Sequence, residues 1–321
     1  MLNALFSRID WMVRLLLLAV LCASFLPVEG GARTVAQSIS DGAIFLLFLL
    51  NGMRLSRADV LAGMGNWRFL GALVGWCYGA MALAGLALFH LGAGLLPNVV
   101  ALGFLYLGTL SSTVQSATAY SSLGGGNVAS SVVAAALLNI IGVFLTAPLF
   151  SALAGQQGAD FGGAALVKIL LILILPFVLG QILQSRTGRW MERNGGIVSW
   201  MDRIAIAIAV YVAFSGAVTQ GLWTRVDPFA WAILLAGVAL FLAFGFFGAW
   251  WLGAGLRLGR SDRIAFLFAG AHKSTAMGAP LAMVLFPSAT AGLLMVPLLA
   301  YHLLQLVISA PLANRLRSRS G

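Results

Sequence analysis

Charge is scarce in this 321-residue chain: 9% of its residues are Asp, Glu, Lys or Arg, where a soluble domain carries about 25%. With 61% hydrophobic residues and a mean hydropathy of +0.99, too little polar surface exists to cover a water-soluble globule. Cysteine is nearly absent. Cys22 and Cys77 each sit inside an apolar run, which excludes a disulfide framework and a cysteine metal cluster. Lysine is almost missing too, with two residues against 17 arginines. No HExxH, nucleophile elbow, Cys pair or Walker motif occurs, so neither a familiar membrane-embedded enzyme nor an ATP-driven pump is indicated.

What the chain has instead is a series of apolar runs of about 20 residues, the length that crosses a bilayer as helix. Gly, Pro and charge breaks divide them into ten candidate spans: 10–27, 35–53, 68–92, 97–121, 127–152, 164–184, 197–219, 229–254, 264–285 and 289–312. The first resembles a signal peptide, because Arg8 and Arg14 precede LLLLAVLCASFLPVEGG. Asp10 and Trp11 at its start, and Val28-Glu29 before the glycines, make a poor cleavage site, so it is read as a retained span.

The net charge of +10 and pI near 10.8 do not indicate nucleic-acid binding, because the basic residues are dispersed through short loops. That is a topology signal. One set of loops, with the adjoining span ends, holds Arg8, Arg14, Arg54, Arg57, Arg68, Arg186, Arg189, Arg193, Arg203, Arg257, Arg260, Arg263, Arg315, Arg317 and Arg319. The other set holds only Arg33, Lys168 and Arg225. Positive charge stays inside, so both termini are placed on the cytoplasmic side. Adding or dropping a span would invert every later loop and erase the asymmetry. Lys273, in the middle of span nine, belongs to neither set. Trp11, Trp67, Trp190 and Trp200 fall near expected interfaces and read as belt residues.

Spans four and nine are the most polar, and they share a rhythm. Ser112-Thr113 in SSTVQSATAY aligns with Ser274-Thr275 in HKSTAMGAPL, and LTAPLF (145–150) follows the first as ISAPLA (308–313) follows the second. Five spans separate the copies, so the two halves are expected to lie oppositely in the membrane, as in the inverted repeats of secondary transporters. The Ser, Thr and Gly of these spans suit tight helix packing. Together with Gln115, His272 and Lys273 they point to interrupted helices lining a cavity, whose freed N–H and C=O groups bind an ion or an anionic group. The candidate site at this crossover is Thr113, Gln115, Ser116, His272, Lys273, Ser274 and Thr275, with Asn127 closing span four's Gly-rich end.

Three stretches carry a family resemblance: GFLYLGTLSSTVQSATAYSSLGGGNVASS (103–131), AFLFAGAHKSTAMGAPLAMVLFP (265–287) and LLMVPLLAYHLLQLVISAPLA (293–313), with IFLLFLLNGMRLS (44–56) in weaker agreement. They resemble the bile acid:sodium symporter superfamily, in its sodium/bile-acid-cotransporter-like branch. The resemblance implies an all-α integral membrane fold of ten transmembrane helices, in two inverted five-helix repeats with broken helices 4 and 9 crossing at mid-membrane. It also implies panel helices 1–2 (1–65) and 6–7 (156–225), core helices 3–5 (66–155), and core helices 8–10 with a basic cytoplasmic tail (226–321). Transport would follow from the core moving against the panel. The usual sodium ligands of the better-known branch are replaced. Gln115 and Ser116 stand where that branch has Ser and Asn, Ala135 where it has a threonine ligand, and the run Phe268 to Lys273 lacks its carboxylate and amide. The resemblance therefore leaves sodium coupling through those positions open.

Lys273 is expected to act in one of three ways: as a built-in cation holding carbonyls and hydroxyls of the crossover or contacting an anionic substrate, as a proton carrier, or as a structural group. An ionisable residue at this depth marks a functional site by default, and lysine gives up its proton more readily than arginine when desolvated. Neighbouring His272 is a second titratable group. Asp41 reads as a counter-charge or proton acceptor facing the cavity, or as a partner for a neighbouring helix near the outer interface. Asn139 and His302 are expected to hydrogen-bond the broken spans, and His90 reads as interfacial. The leading function is secondary transport of a small organic solute, expected to be an anion, by alternating access, without a nucleic-acid partner or cofactor and with a proton as the alternative coupling ion. The other reading is a non-transporting membrane regulator or scaffold affecting ion or lipid homeostasis. A bacterial cytoplasmic (inner) membrane is the expected location.

Overall fold

The computed structural model describes residues 11–54, 66–155, 167–225 and 227–318, and among them only helices and their connections occur, apart from one isolated bridge between Ala93 and Leu96. In chain order the helices, besides a single turn at Leu222–Arg225, are α1 (Trp11–Phe25), α2 (Gly30–Arg54), α3 (Trp67–Gly92), α4 (Asn98–Thr109), α5 (Gln115–Leu123), α6 (Val128–Ala154), α7 (Val167–Arg193), α8 (Gly195–Thr219), α9 (Pro228–Gly255), α10 (Arg260–Ala271), α11 (Thr275–Leu285), α12 (Ser288–Leu294) and α13 (Val296–Ser318). Seven helical stretches are long and apolar enough to cross a membrane: α2, α3, α6, α7, α8, α9 and Thr290–Arg317. α1 and α4 are apolar but shorter. Arg8, Arg57 and Arg319 of the loop-charge pattern lie outside the described residues.

Two expected spans are each two helices. The run at 97–121 is α4, a non-helical stretch at 110–114, and α5, while 264–285 is α10, a break at 272–274, and α11. Neither break contains proline or glycine. Leu110 and His272 are both extended, with ψ of 150° and 143°. Ser and Thr side chains compete for backbone hydrogen bonds there, and the tertiary partners described below hold both breaks open. Helix ends also differ from the hydropathy boundaries. α7 runs to Arg193, beyond the expected end at 184, because QSRTGRWMER is polar but helix-competent. Hydropathy marks where the apolar run stops rather than where hydrogen bonding does.

The chain divides into two compact units. The first holds α1, α2, α7, α8, the later part of α11 and α12. Arg54 Nη2 donates to Asp202 Oδ2 at 2.6 Å, and Gln181 Nε2 to the Gly52 carbonyl at 2.6 Å, tying α2 to α8 and α7.

The second unit holds α3 to α6, α9, α10, the start of α11 and α13. Local signals set its helix starts. Asp227 accepts from Ala230 N–H ahead of Pro228, and Asn127 accepts from Ser130 N–H ahead of α6. Within α3, residues Trp76–Ala80 form a π-helical turn, which displaces the regular hydrogen-bond ladder. α3 and α4 meet at a glycine pair. A Cβ on Gly85 would lie 2.5 Å from the Phe104 carbonyl oxygen, and one on Gly108 would lie 2.7 Å from that of Met81. Close backbone approach of this kind drives helix association in lipid. It also brings the Cys77 and Gly108 carbonyls to the same side chain, that of Lys273.

Candidate functional site at the two helix breaks

An interrupted helix leaves its last carbonyls and the next helix's first N–H groups without intrahelical partners, and no water replaces those bonds inside a bilayer. Each break in the second unit meets this requirement through specific partners. The breaks also bond to each other: Ser274 N–H donates to the Ser111 carbonyl at 2.9 Å.

Lys273 is fully buried. Its ammonium donates to the carbonyls of Leu110 at 2.7 Å, Gly108 at 2.8 Å and Cys77 at 3.3 Å. An ammonium has three N–H donors, and all three are used. The acceptors are freed by helix irregularity: Gly108 and Leu110 at the C-terminal, partially negative end of α4, and Cys77 in the π-turn of α3. The remaining end carbonyls of α4 are also occupied. Leu110 N–H donates to Leu107 at 3.4 Å, the Thr109 hydroxyl to Tyr106 at 2.8 Å, and the Thr146 hydroxyl to Thr109 at 3.2 Å.

The end of α10 is closed by a parallel set of donors. His272 N–H donates to the Phe268 carbonyl at 3.1 Å, the Cys77 thiol contacts that of Ala269 at 3.8 Å, Trp76 Nε1 donates to Gly270 at 3.2 Å, and the Tyr301 hydroxyl to Ala271. Gln305 holds the backbone of Lys273 on both sides, accepting from its N–H at 2.9 Å and donating to its carbonyl at 3.1 Å.

His272 is fully buried, with Tyr120, Phe246 and Phe268 rings around it at 5.7, 6.1 and 5.9 Å between centroids. Nδ1 lies 3.0 Å from the Ser116 hydroxyl and 3.4 Å from that of Thr113, which also bonds to Ser116, and Nε2 lies 2.8 Å from the Ser309 hydroxyl. The imidazole thus links the first break, the second break and α13.

Five of the seven residues named for the crossover converge through these bonds: Thr113, Ser116, His272, Lys273 and Ser274, the last capping α11 by accepting from Met277 N–H at 3.1 Å. Thr275 is buried beside them, with a hydroxyl that has no hydrogen-bond partner among the described residues. Gln115 is exposed at the first turn of α5 and stands outside this network. Asn139 donates to the Ser112 carbonyl at 3.2 Å and accepts from the Ser111 hydroxyl at 3.4 Å, so it spans the first break. His302 Nδ1 lies 2.9 Å from Gln305 Nε2 and reaches the second break through it. Asn127 is elsewhere: its amide donates to Asp262 Oδ1 at 2.8 Å, and its N–H to the Ser261 carbonyl at 2.9 Å, joining the start of α6 to that of α10. Asp41 is in the first unit, where Gln37 donates to it at 3.0 Å and Lys168 Nζ lies 3.8 Å away.

Gln305, Tyr301, Ser309 and the Cys77 carbonyl were not singled out by sequence reasoning. Gln305 carries a usable signal, a polar residue three positions from His302 inside an apolar span. The Cys77 carbonyl carries none, because it is available only through the π-turn.

Residues 10–318 match the SBF-like CPA transporter family. The chain belongs to that family. It is 33% identical over 316 residues to an Escherichia coli protein named "Putative symporter YfeH", covering 98% of this chain and 95% of that one. It is 39% identical over 307 residues to the Pseudomonas aeruginosa protein PA2026, covering 95% and 92%. Sodium/bile acid cotransporter 7 of Mus musculus is 22% identical over 329 residues, covering 97% of this chain and 94% of the mouse protein. With this membership and its long apolar helices, the chain is a multi-pass membrane protein of a transporter family with symporter-like relatives.

Proposed function

We propose that this protein is a secondary active transporter of a small organic anion, working by alternating access, in which the Lys273 ammonium stands permanently where a coupled cation would otherwise sit. The observation that carries this reading is the three-carbonyl seat of the ammonium at 2.7, 2.8 and 3.3 Å. A bound alkali ion would need those same oxygens. The neutral amine has two N–H groups for three carbonyls, so the geometry favours a fixed cation over a proton carrier. An anionic substrate is supported by the N-termini of α5 and α11, which face the breaks with a positive dipole end. Transport rather than catalysis is supported by the family and by the lack of a catalytic motif in the sequence.

The ten-span, inverted-repeat architecture belongs to the same proposal. Seven long helices, α1, and the two interrupted pairs α4–α5 and α10–α11 add up to ten crossings. Pro148 in α6 and Pro311 in α13 follow the two breaks at similar offsets, as expected of related halves. In this reading α1, α2, α7 and α8 form the panel and α3 to α6 with α9 to α13 the core, both termini are cytoplasmic, and the protein resides in a bacterial inner membrane, consistent with its bacterial relatives.

The test is uptake of radiolabelled organic anions into proteoliposomes under imposed sodium, proton or substrate gradients. Uptake is expected to be unchanged when sodium is replaced by choline. Uptake that requires a sodium gradient would overturn the fixed-cation reading. Stimulation by a proton gradient that vanishes in Lys273→Met would move Lys273 to the proton-carrier role. Absence of uptake for every anion would favour the regulator reading.

A further inference from the structure

Arg33 and Lys168 are two of the three basic residues that run against the loop-charge bias, and they line one cavity of about 410 Å³ within the first unit. That volume lies in the range of small-molecule pockets, about 300–1,000 Å³. α2 supplies Arg33 and Gln37, the start of α7 supplies Lys168, and the end of α11 with the start of α12 supplies Met283, Phe286 and Ser288. The Ser288 hydroxyl accepts from both Nε and Nη2 of Arg33 at 3.2 and 2.7 Å, which fixes the guanidinium in the wall. Among the described residues Arg33 has no carboxylate partner, and Lys168 has only Asp41 at 3.8 Å, too long for a hydrogen bond. Lys168 thus has one carboxylate near it and Arg33 none, and the N–H donors that Ser288 does not take up lie in the same lining as the largely buried Met283 and Phe286 side chains.

We propose that this cavity is a reception site for an amphipathic organic anion, with its carboxylate held by Arg33 and Lys168 and its apolar body against Met283 and Phe286. The guanidinium supplies a fork of donors that matches a carboxylate, and the ammonium supplies a point charge. Cations on the outer side are disfavoured by the topology rule, and an anion to be captured from that side gives them a use. The proposal takes its side of the membrane from the transporter reading above.

The experiment labels Ser38→Cys, an exposed lining position, in phosphatidylcholine nanodiscs. The reagents are 2-sulfonatoethyl methanethiosulfonate and its trimethylammonium counterpart, and modification of residue 38 is read by mass spectrometry. Relative to a free thiol, the anionic reagent is expected to react about tenfold faster than the cationic one, from Coulomb attraction at partly screened distances. Addition of 2-naphthoate should slow the reaction severalfold, and neutral 2-naphthamide should not. Arg33→Gln and Lys168→Gln should each reduce both effects severalfold, while Arg33→Lys keeps the charge preference and shows that the fold is intact. Equal rates for the two reagents overturn the proposal. So does a preference without protection by naphthoate, which would be surface potential alone. Loss of protection when phosphatidylglycerol is added also overturns it, assigning the cavity to a lipid head group. The readout needs no gradient, so its failure leaves proteoliposome uptake standing, and failed uptake leaves this binding result standing.

Discussion

Replacing Lys273 by alanine separates a fixed cation from an incidental one. The substitution strips the donor from three buried carbonyls, those of Leu110, Gly108 and Cys77. Each buried acceptor left unsatisfied costs about 1–3 kcal/mol, so three cost roughly 5 kcal/mol. Removing the ammonium also removes the cost of placing a charge at mid-membrane, about 2.5–3.5 kcal/mol. The net loss is then about 2 kcal/mol, or a fall in Tm of about 4–8 °C. The space vacated should admit a small cation. Methylammonium at ten times its Kd would restore about 1.4 kcal/mol, from RT ln(1 + [L]/Kd). Thermal unfolding of the purified protein in choline, sodium and methylammonium chloride reads all of these quantities. Wild type should show no preference for sodium over choline, Lys273→Ala should be destabilised and rescued by methylammonium, and Lys273→Met should be destabilised without rescue because its side chain fills the space. An unchanged Tm in Lys273→Ala, or stabilisation of wild type by sodium, would refute the fixed-cation argument.

Gln305→Leu is expected to cost about 2–4 kcal/mol, since it strands the N–H and C=O of Lys273 together. Gln305→Glu keeps only the acceptor and should lose stability for the carbonyl alone, so equal melting temperatures for the two variants would count against the two-sided bridge. Arg54→Ala should cost about 1–3 kcal/mol by leaving the buried Asp202 carboxylate unpaired, a figure reduced from the fully buried case because the Arg54 side chain is 38% exposed. Adding Asp202→Asn should recover part of that loss in a double-mutant cycle, and strict additivity would show that the pair contributes nothing. Gly108→Val must separate α3 from α4, because even its Cβ would meet the Met81 carbonyl oxygen at 2.7 Å. A destabilisation of about 1–3 kcal/mol is expected, detectable as a lower melting temperature and poorer monodispersity in detergent.

Much of the site was legible because a bilayer punishes unsatisfied polar groups and so leaves marks in the sequence. Lys273 and His272 stood out as ionisable residues in an apolar span, and both are at the centre of the network. Asn139 stood out in the same way and spans the first break. Gln115 and Ser116 show where this reasoning stops. They are adjacent in sequence, yet Ser116 meets the His272 ring while Gln115 is exposed. One residue is a rotation of roughly 100° around a helix of 3.6 residues per turn, and the packing of α5 against its neighbours sets that rotation. Asp41 is a second case. Its charge was visible in α2, but its partner Lys168 follows from where α7 begins.

Composition and charge placement alone determined that this chain lives in a membrane and where its apolar runs and polar interruptions fall. Those properties depend on local transfer energies, which each segment carries with it. What only the tertiary structure decided is which groups meet at the interruptions. The π-turn in α3, the glycine contact between α3 and α4, and the reach of α13 bring the Cys77 and Gly108 carbonyls and the Gln305 amide to one lysine. These partners come from opposite ends of the chain, and hydrogen bonds form at contact distance whatever the separation in sequence.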